Sequence, residues 1–458
     1  MIPRRFVAAA LLALLHALYA AGAALAQTTE RVLANGMKVL VIEDHRAPTV
    51  AHMVWYRAGS IDEVNGGTGV AHVLEHMMFK GTRDLPAGEF SRRVAAMGGR
   101  ENAFTSRDYT GYYQQVHRSR LADVMALEAD RMANLVLSKE EFDKEIRVVM
   151  EERRWRTEDR AESLVYEQLM AAAFTASPYR APVVGWMNDL EAMTVDDARD
   201  WYERWYTPGN ALLVVAGDVT PAEVFELAER TYGRIASRAL PPRKPQLEPQ
   251  QRGVRRIWVK APAQNPYVLM GFKVPRLADV AADGDVYALE VLAAVLDLDE
   301  NGRITRNVVR SARIANSAGA GYDMVARGPA LFTLAGTPSE GRSTEDVERA
   351  LRAEIARIAD QGVREDELQR VKTQYVASRV YRRDSVFGQA MEAAGLEIAG
   401  FRHDDSDRIL ERIRAVTAEQ VRAVARKYFD EDTLTVATLL PQPVEPRRGP
   451  APAGVRHQ

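Results

Sequence analysis

The chain has 458 residues, of which 47% are hydrophobic and 27% charged, and its formal net charge is -2. It is too long for one ordinary core, too apolar for a disordered chain, and points to roughly two to four domains. The near-zero charge excludes a strong field of one sign, and with it a dedicated nucleic-acid or acidic-membrane binder. Cysteine is absent. Disulfides, cysteine acylation and thiolate ligands are thereby excluded, so any metal must be held by His, Asp or Glu.

Residues 1–26 begin with the basic "MIPRR" and continue as an apolar run, interrupted by His16, to Ala24-Leu25-Ala26. This reads as a secretory signal peptide with a small-x-small cleavage site. A retained anchor is the alternative, because the run is near the length of a membrane span. Cleavage would leave a soluble protein with no stable membrane insertion, most simply in a bacterial periplasm.

The unit expected over 27–237 opens with strands at 37–44 and 49–59, turned by "HRAP". A helix follows through "GVAHVLEHMMFKGT" (69–82), then two strands within 101–116. Residues 119–172 read as largely helical, with "SKEE" (138–141) a capping box that starts a helix just after Ser138. "ALLVVAGDV" (211–219) is a buried strand. The Pro-, Arg- and Gln-rich stretch 238–253 is an expected surface linker. A second unit, 254–440, restarts with strands at "VRRIWVKAP" and "YVLMGFKVP", turns helical near 283 and ends in "LTVATLLP". The tail 441–458 is expected to be disordered.

The two units read as copies. "MTVDDARDWYERWYTPGNALLVVAGD" from Met193 aligns without a gap on "VTAEQVRAVARKYFDEDTLTVATLLP" from Val416. Thr194 and Thr417 each precede, by three residues, a capping partner, Asp197 or Gln420. Internal duplication accounts for the matched caps, aromatics and strand onsets. The expected fold class is α+β, as two homologous α/β sandwich domains with helices packed on a mixed sheet.

His72, Glu75 and His76 form an H-x-x-E-H string in the first unit only. On a helix, His72 and His76 lie one turn apart and only about 40° around the axis, so both can face one ion. Glu75 sits beside His76 and can address a water without ligating the metal. Two imidazoles do not hold a catalytic zinc; a third ligand is needed, with one position left open. In "EEFDKEIRVVMEERRWRTED", Glu145 and Glu152 are about 20° off the same face, in a run where Ile146, Val148, Val149 and Met150 supply apolar surface. A glutamate there needs a cation partner. Glu152 is the candidate third ligand, Glu145 a group that orients a ligand. Glu151 is the alternative by a one-residue slip, but points about 100° away. His45, His52 and His117 read as ordinary strand-associated residues; His403 and His457 carry no signal.

H-x-x-E-H followed about 76 residues later by a Glu, with another Glu seven before it, resembles the pitrilysin-like, or inverzincin, zinc metallopeptidases, which include the processing-peptidase and insulin-degrading types. "YRAGSIDEVNGGTGVAHVLEHMMFKGT" and "NAFTSRDYTGYYQQV" are similar to that family's first domain, and the resemblance covers residues 30–440. It implies one Zn²⁺ per chain on His72, His76 and Glu152, and Glu75 as general base. It also implies that Asn102, Ala103, Phe104 and Thr105 pair with an extended substrate by strand addition.

The resemblance also implies an Arg and a Tyr from the second domain that hold the substrate carbonyl. Here "VRSARIANSAGAGYD" (309–323) keeps Arg310 but has Asn316 at the Tyr position, with Tyr322 further on. Losing one oxyanion donor costs about 2–4 kcal/mol in the barrier. A homologous partner subunit is therefore expected to supply the missing groups, as a heterodimer, with a homodimer the alternative. The expected function is a periplasmic zinc endopeptidase acting on peptides or unfolded segments. The competing reading is a scaffold or binding subunit of a heteromeric peptidase. Manganese or cobalt could occupy a site of this kind in vitro. A hydrolase of non-peptide substrates has nothing but the generality of zinc chemistry behind it.

Overall fold

In the computed structural model the described residues are 28–444. The signal segment, His457 and most of the expected tail lie outside them. Among the described residues no helix is long and apolar enough to cross a membrane.

The first half contains β1 (Thr28–Val32), β2 (Lys38–Glu43), β3 (Thr49–Tyr56), α1 (Val70–Met77), α2 (Glu89–Ala96), β4 (Arg100–Thr105) and β5 (Thr110–His117). Then come α3 (Leu121–Asn134), α4 (Lys139–Arg153), α5 (Ala161–Ala173), α6 (Met187–Ala192), α7 (Val195–Trp205), β6 (Ala211–Gly217) and α8 (Pro221–Arg230). The second half contains β7 (Arg255–Pro262), β8 (Tyr267–Val274), α9 (Gly284–Asp297), β9 (Ala315–Gly321) and β10 (Ala330–Pro338). It closes with α10 (Thr344–Gln361), α11 (Glu365–Arg382), α12 (Val386–Ala399), α13 (Asp405–Ala415), α14 (Ala418–Lys427) and β11 (Leu434–Gln442). The strand β11 thus runs two residues past the expected start of the tail.

The sheets have orders β1-β2-β6-β3-β5-β4 and β7-β11-β8-β10-β9. Without β1 they share one topology. The β2–β6 and β7–β11 pairs are parallel, and the other shared pairs are antiparallel. The matched caps form as read: Thr194 and Thr417 each close a capping box with Asp197 or Gln420. This is the fold of two mixed sheets with helices packed on them expected from the duplication.

The halves exchange one helix each, which local patterns do not reveal. Helix α5, from the first half, packs Val165 and Leu169 against Leu269, Ala437 and Leu439 of the second sheet. Helix α12, from the second half, packs Ala390, Ala393, Ala394 and Ile398 on Leu40, Trp55, Leu212 and Val214 of the first sheet. Each sheet buries one face against its own helices and the other against a helix from its sibling. Burial of both faces explains why β6 reads as a continuous apolar run.

Candidate metal centre

Helix α1 buries Val70, Ala71, Val73, Leu74 and Met77 in the first core. The remaining face carries His72, Glu75 and His76. Its start is held by a residue that sequence reasoning passed over. Buried Glu63 accepts hydrogen bonds from the Gly69 and Ala71 N–H groups at 2.9 and 3.0 Å, satisfying two orphan donors of the first turn. Burial pushes the Glu63 carboxyl up to about 8 against the pull of those donors. Gly69 has φ +89, and a Cβ there would come 2.5 Å from the Val184 carbonyl oxygen, so the tight entry of the chain into α1 requires glycine.

Helix α4 begins at Ser138, whose side chain accepts from the Glu141 N–H at 3.2 Å. It buries Phe142, Ile146 and Val149 in the same core, which turns Glu145 and Glu152 toward α1. The structure brings four of the candidate residues together. His72 Nε2 lies 3.7 Å and His76 Nε2 3.3 Å from the two Glu152 oxygens. His76 Nδ1 is 3.3 Å from Glu145 Oε2, and Lys80 Nζ is 2.6 Å from the other Glu145 oxygen. The imidazoles stand edge to face, 4.8 Å apart. Glu151 points away, paired with Arg154 at the exposed surface.

The donor atoms of His72, His76 and Glu152 lie within 4.8 Å of one another. Two imidazole nitrogens and a carboxylate on rigid helices suit a tetrahedral zinc with one open position. Electrostatics agree with a cation site. Burial, then the like charge of His76, pushes His72 down to about 4, so it is a free base at neutral pH. Burial also acts to lower His76, but Glu145, Glu152 and Glu75 outweigh it and push His76 up to about 9. Burial opposes ionisation of Glu152, yet His76, His72 and Arg156 hold its carboxyl down at about 2. The carboxylates thus draw a positive charge between them, which a metal ion can supply in place of the His76 proton. The residues fit the ion.

Partial burial of Glu75 raises its carboxyl above the ordinary range. The Thr105 hydroxyl donates to Glu75 Oε2 at 2.5 Å and acts against that rise. Thr105 ends β4, which forms the edge of the first sheet. Of its neighbours, Phe104 packs on Trp55 and Tyr109, and the Asn102 side chain accepts from the Ala103 N–H.

The second-half candidates are not at this centre's donor set. Arg310 pairs with Glu300 on the surface. Asn316 donates to the Pro338 carbonyl at 3.3 Å and lines an open cavity of about 700 Å³ with Arg160, Ser163, Asn265 and Leu439. Tyr322 is a structural pin, donating to the Pro275 carbonyl at 2.6 Å. His52 is buried between Gln114 and Tyr232, His45 meets Asp218, and His117 bonds Ser119 at the end of β5. His403 carried no signal in the sequence, but it packs against Glu397 and Glu30. The Lys38 ammonium already lies 2.8 Å from each of those carboxylates, so this cluster contains its own cation.

Residues 38–185 match the family described as Insulinase (Peptidase family M16), and residues 192–375 match Peptidase M16 inactive domain. Over 418 residues the chain is 28% identical to a zinc protease, PqqE, of Helicobacter pylori, covering 89% of this chain and 92% of that one. An uncharacterized zinc protease of Bacillus subtilis, YmxG, is 26% identical over 87% of this chain and 95% of its own. The crystal structure of a protease from Helicobacter pylori superposes with a TM-score of 0.86 at 27% identity, covering 91% of this chain and all of that one. With H-x-x-E-H on α1, a glutamate pair on α4 and two sheets of one topology, the chain belongs to the M16, or pitrilysin-like, family of zinc metallopeptidases.

Proposed function

We propose that the protein is a zinc endopeptidase that hydrolyses peptides or unfolded segments. His72, His76 and Glu152 would hold the ion, and Glu145, with Lys80 behind it, would orient His76. The observation that carries this reading is the convergence of that donor set with Glu75, whose carboxyl is tied to the end of an edge strand. A bound zinc supplies Lewis acidity and a water of lowered pKa. Glu75 takes the proton of the attacking water and returns it to the leaving amine nitrogen. The edge at Asn102–Thr105 gives an extended peptide a row of backbone groups beside that carboxylate, a mode tolerant of side chains. The units 27–237 and 254–440 are taken as the duplicated pair, exported to a periplasm by the signal segment.

A second reading is favoured by Asn316, a neutral residue where the family resemblance implies Tyr, and by the inactive-domain match of the second half. On that reading the chain is a weak or inactive binding subunit of a heteromeric peptidase. One experiment separates the two. Residues 27–458 are assayed for metal content and for cleavage of a quenched unstructured peptide, alone and mixed with a homologous partner subunit. About one zinc per chain with cleavage, abolished in Glu75→Gln while zinc is kept, supports the enzyme. Zinc without cleavage under either condition supports the binding subunit.

A further inference from the structure

We propose that Arg156 is a catalytic residue that places its guanidinium on the scissile carbonyl oxygen from within the metal-bearing half. The inference rests on the peptidase reading. Immediately after α4 the chain forms a π-helical turn, Arg154–Glu158. Such turns interrupt a helix to re-aim side chains and recur at functional sites. Arg156 lies in this turn, four residues after Glu152, with Nη1 2.5 Å from Glu152 Oε1, the oxygen that faces His72. The side chain is 64% exposed.

The neighbouring cations are committed elsewhere. Lys80 is on Glu145, Arg153 is buried on Glu167, and Arg154 is on Glu151. Arg310 pairs with Glu300, and Asn316 carries no charge. Arg156 is therefore the guanidinium that borders the donor set and also faces solvent, from which a peptide must approach. In the reaction the water oxygen bonds to the carbonyl carbon as its proton passes to Glu75. The carbonyl π pair moves onto the oxygen, which accepts from a second Arg156 N–H. The pair returns as the C–N bond breaks and the amine takes the proton. A planar fork holding a carboxylate on one edge and a developing oxyanion on the other is geometry that arginine provides and lysine does not.

The bland alternative is an i,i+4 ion pair that merely steadies Glu152. The test uses the zinc-loaded Glu75→Gln protein, which does not turn over. Affinities are measured for a short unstructured peptide and for its phosphinic isostere, a tetrahedral anion, with and without Arg156→Ala or Arg156→Lys. Zinc affinity is read in parallel by competition with a chromophoric chelator. Arg156→Ala is expected to weaken the isostere at least about ten-fold, with peptide and zinc affinities held within about three-fold, and Arg156→Lys to recover only part of the loss. Equal weakening of peptide and isostere, or loss of zinc affinity with their ratio unchanged, overturns the assignment and leaves the peptidase reading standing. If the parent holds zinc and binds neither ligand, the peptidase reading itself falls, and this inference with it.

Discussion

Thr105 Oγ1 donates a 2.5 Å hydrogen bond to Glu75 Oε2, joining the last residue of the edge strand β4 to the middle of the histidine-bearing helix. A peptide added to that edge would thus reach the base through a side chain already in contact with it. Thr105→Val keeps the shape and deletes the donor. We expect kcat to fall about ten-fold, with zinc content and far-UV circular dichroism unchanged. Glu75→Gln should cost about 10²–10⁴-fold and also keep its zinc. A Thr105→Val enzyme with wild-type kcat would show that the contact only fixes a rotamer.

Metal removal should leave the fold intact. The donor set lies beside the first core rather than inside it, and both sheets are buried by apolar contacts that need no ion. A chelator should therefore lower the melting temperature by several degrees without abolishing the transition. Binding at about a hundred-fold excess over Kd contributes only about 2.7 kcal/mol. Glu145→Ala, which strips the His76 Nδ1 partner, should weaken zinc about 10–100-fold in a competition titration. Complete unfolding on chelation would place the ion in the structural class.

Glu63 predicts a stability effect coupled to metal affinity. Glu63→Ala leaves the buried Gly69 and Ala71 N–H groups without an acceptor, at about 1–3 kcal/mol. Loosening the first turn should also spread the two imidazoles and weaken zinc. Glu63→Gln, which retains an acceptor oxygen, should fall between wild type and alanine on both measures. Urea unfolding and chelator competition on the same preparations provide the check.

A pH effect is expected far from the metal. Glu290 on α9 is buried, its Oε1 accepting from the Tyr375 hydroxyl at 2.8 Å and its Oε2 lacking a partner. Burial pushes its carboxyl up to about 7 from the ordinary 4.5. The folded chain therefore keeps this proton where the unfolded chain has lost it. The stability it contributes is full below about pH 4.5 and is lost as pH rises to about 7, by about 3 kcal/mol across the window. Glu290→Gln should flatten that part of the profile and raise the urea midpoint at pH 8. A mutant profile parallel to wild type would show that Glu290 does not titrate there.

The metal motif was legible because its spacings are those of one helix face: His72 to His76, and Glu145 to Glu152. The duplication was legible through caps that act locally, at Thr194 and Thr417. Glu63, Lys80 and Arg156 were not. Glu63 works across a loop and Lys80 through a neighbouring helix, while Arg156 sits at an ordinary i,i+4 spacing from Glu152 and nothing in its residue type sets it apart from the neighbouring arginines. Strands β1 and β9 were missed because "TTERV" and "ANSAGAG" lack the alternating apolar residues of a half-buried strand, whereas β10, "ALFTLAGTP", alternates and was passed over all the same. The exchange of α5 and α12 was invisible because an apolar helix face does not state which sheet it will meet.

That exchange sets a clock on the site. The outer face of the first sheet, with Leu40, Trp55, Leu212 and Val214, stays bare until residues 386–399 arrive to cover it. A polypeptide made from its N-terminus carries the complete H-x-x-E-H string for most of its synthesis without the layer that finishes the sheet beneath it. Contacts of such long sequence separation form late and slowly. The sheet that carries the string on its other side is thus complete only once residues 386–399 have been made.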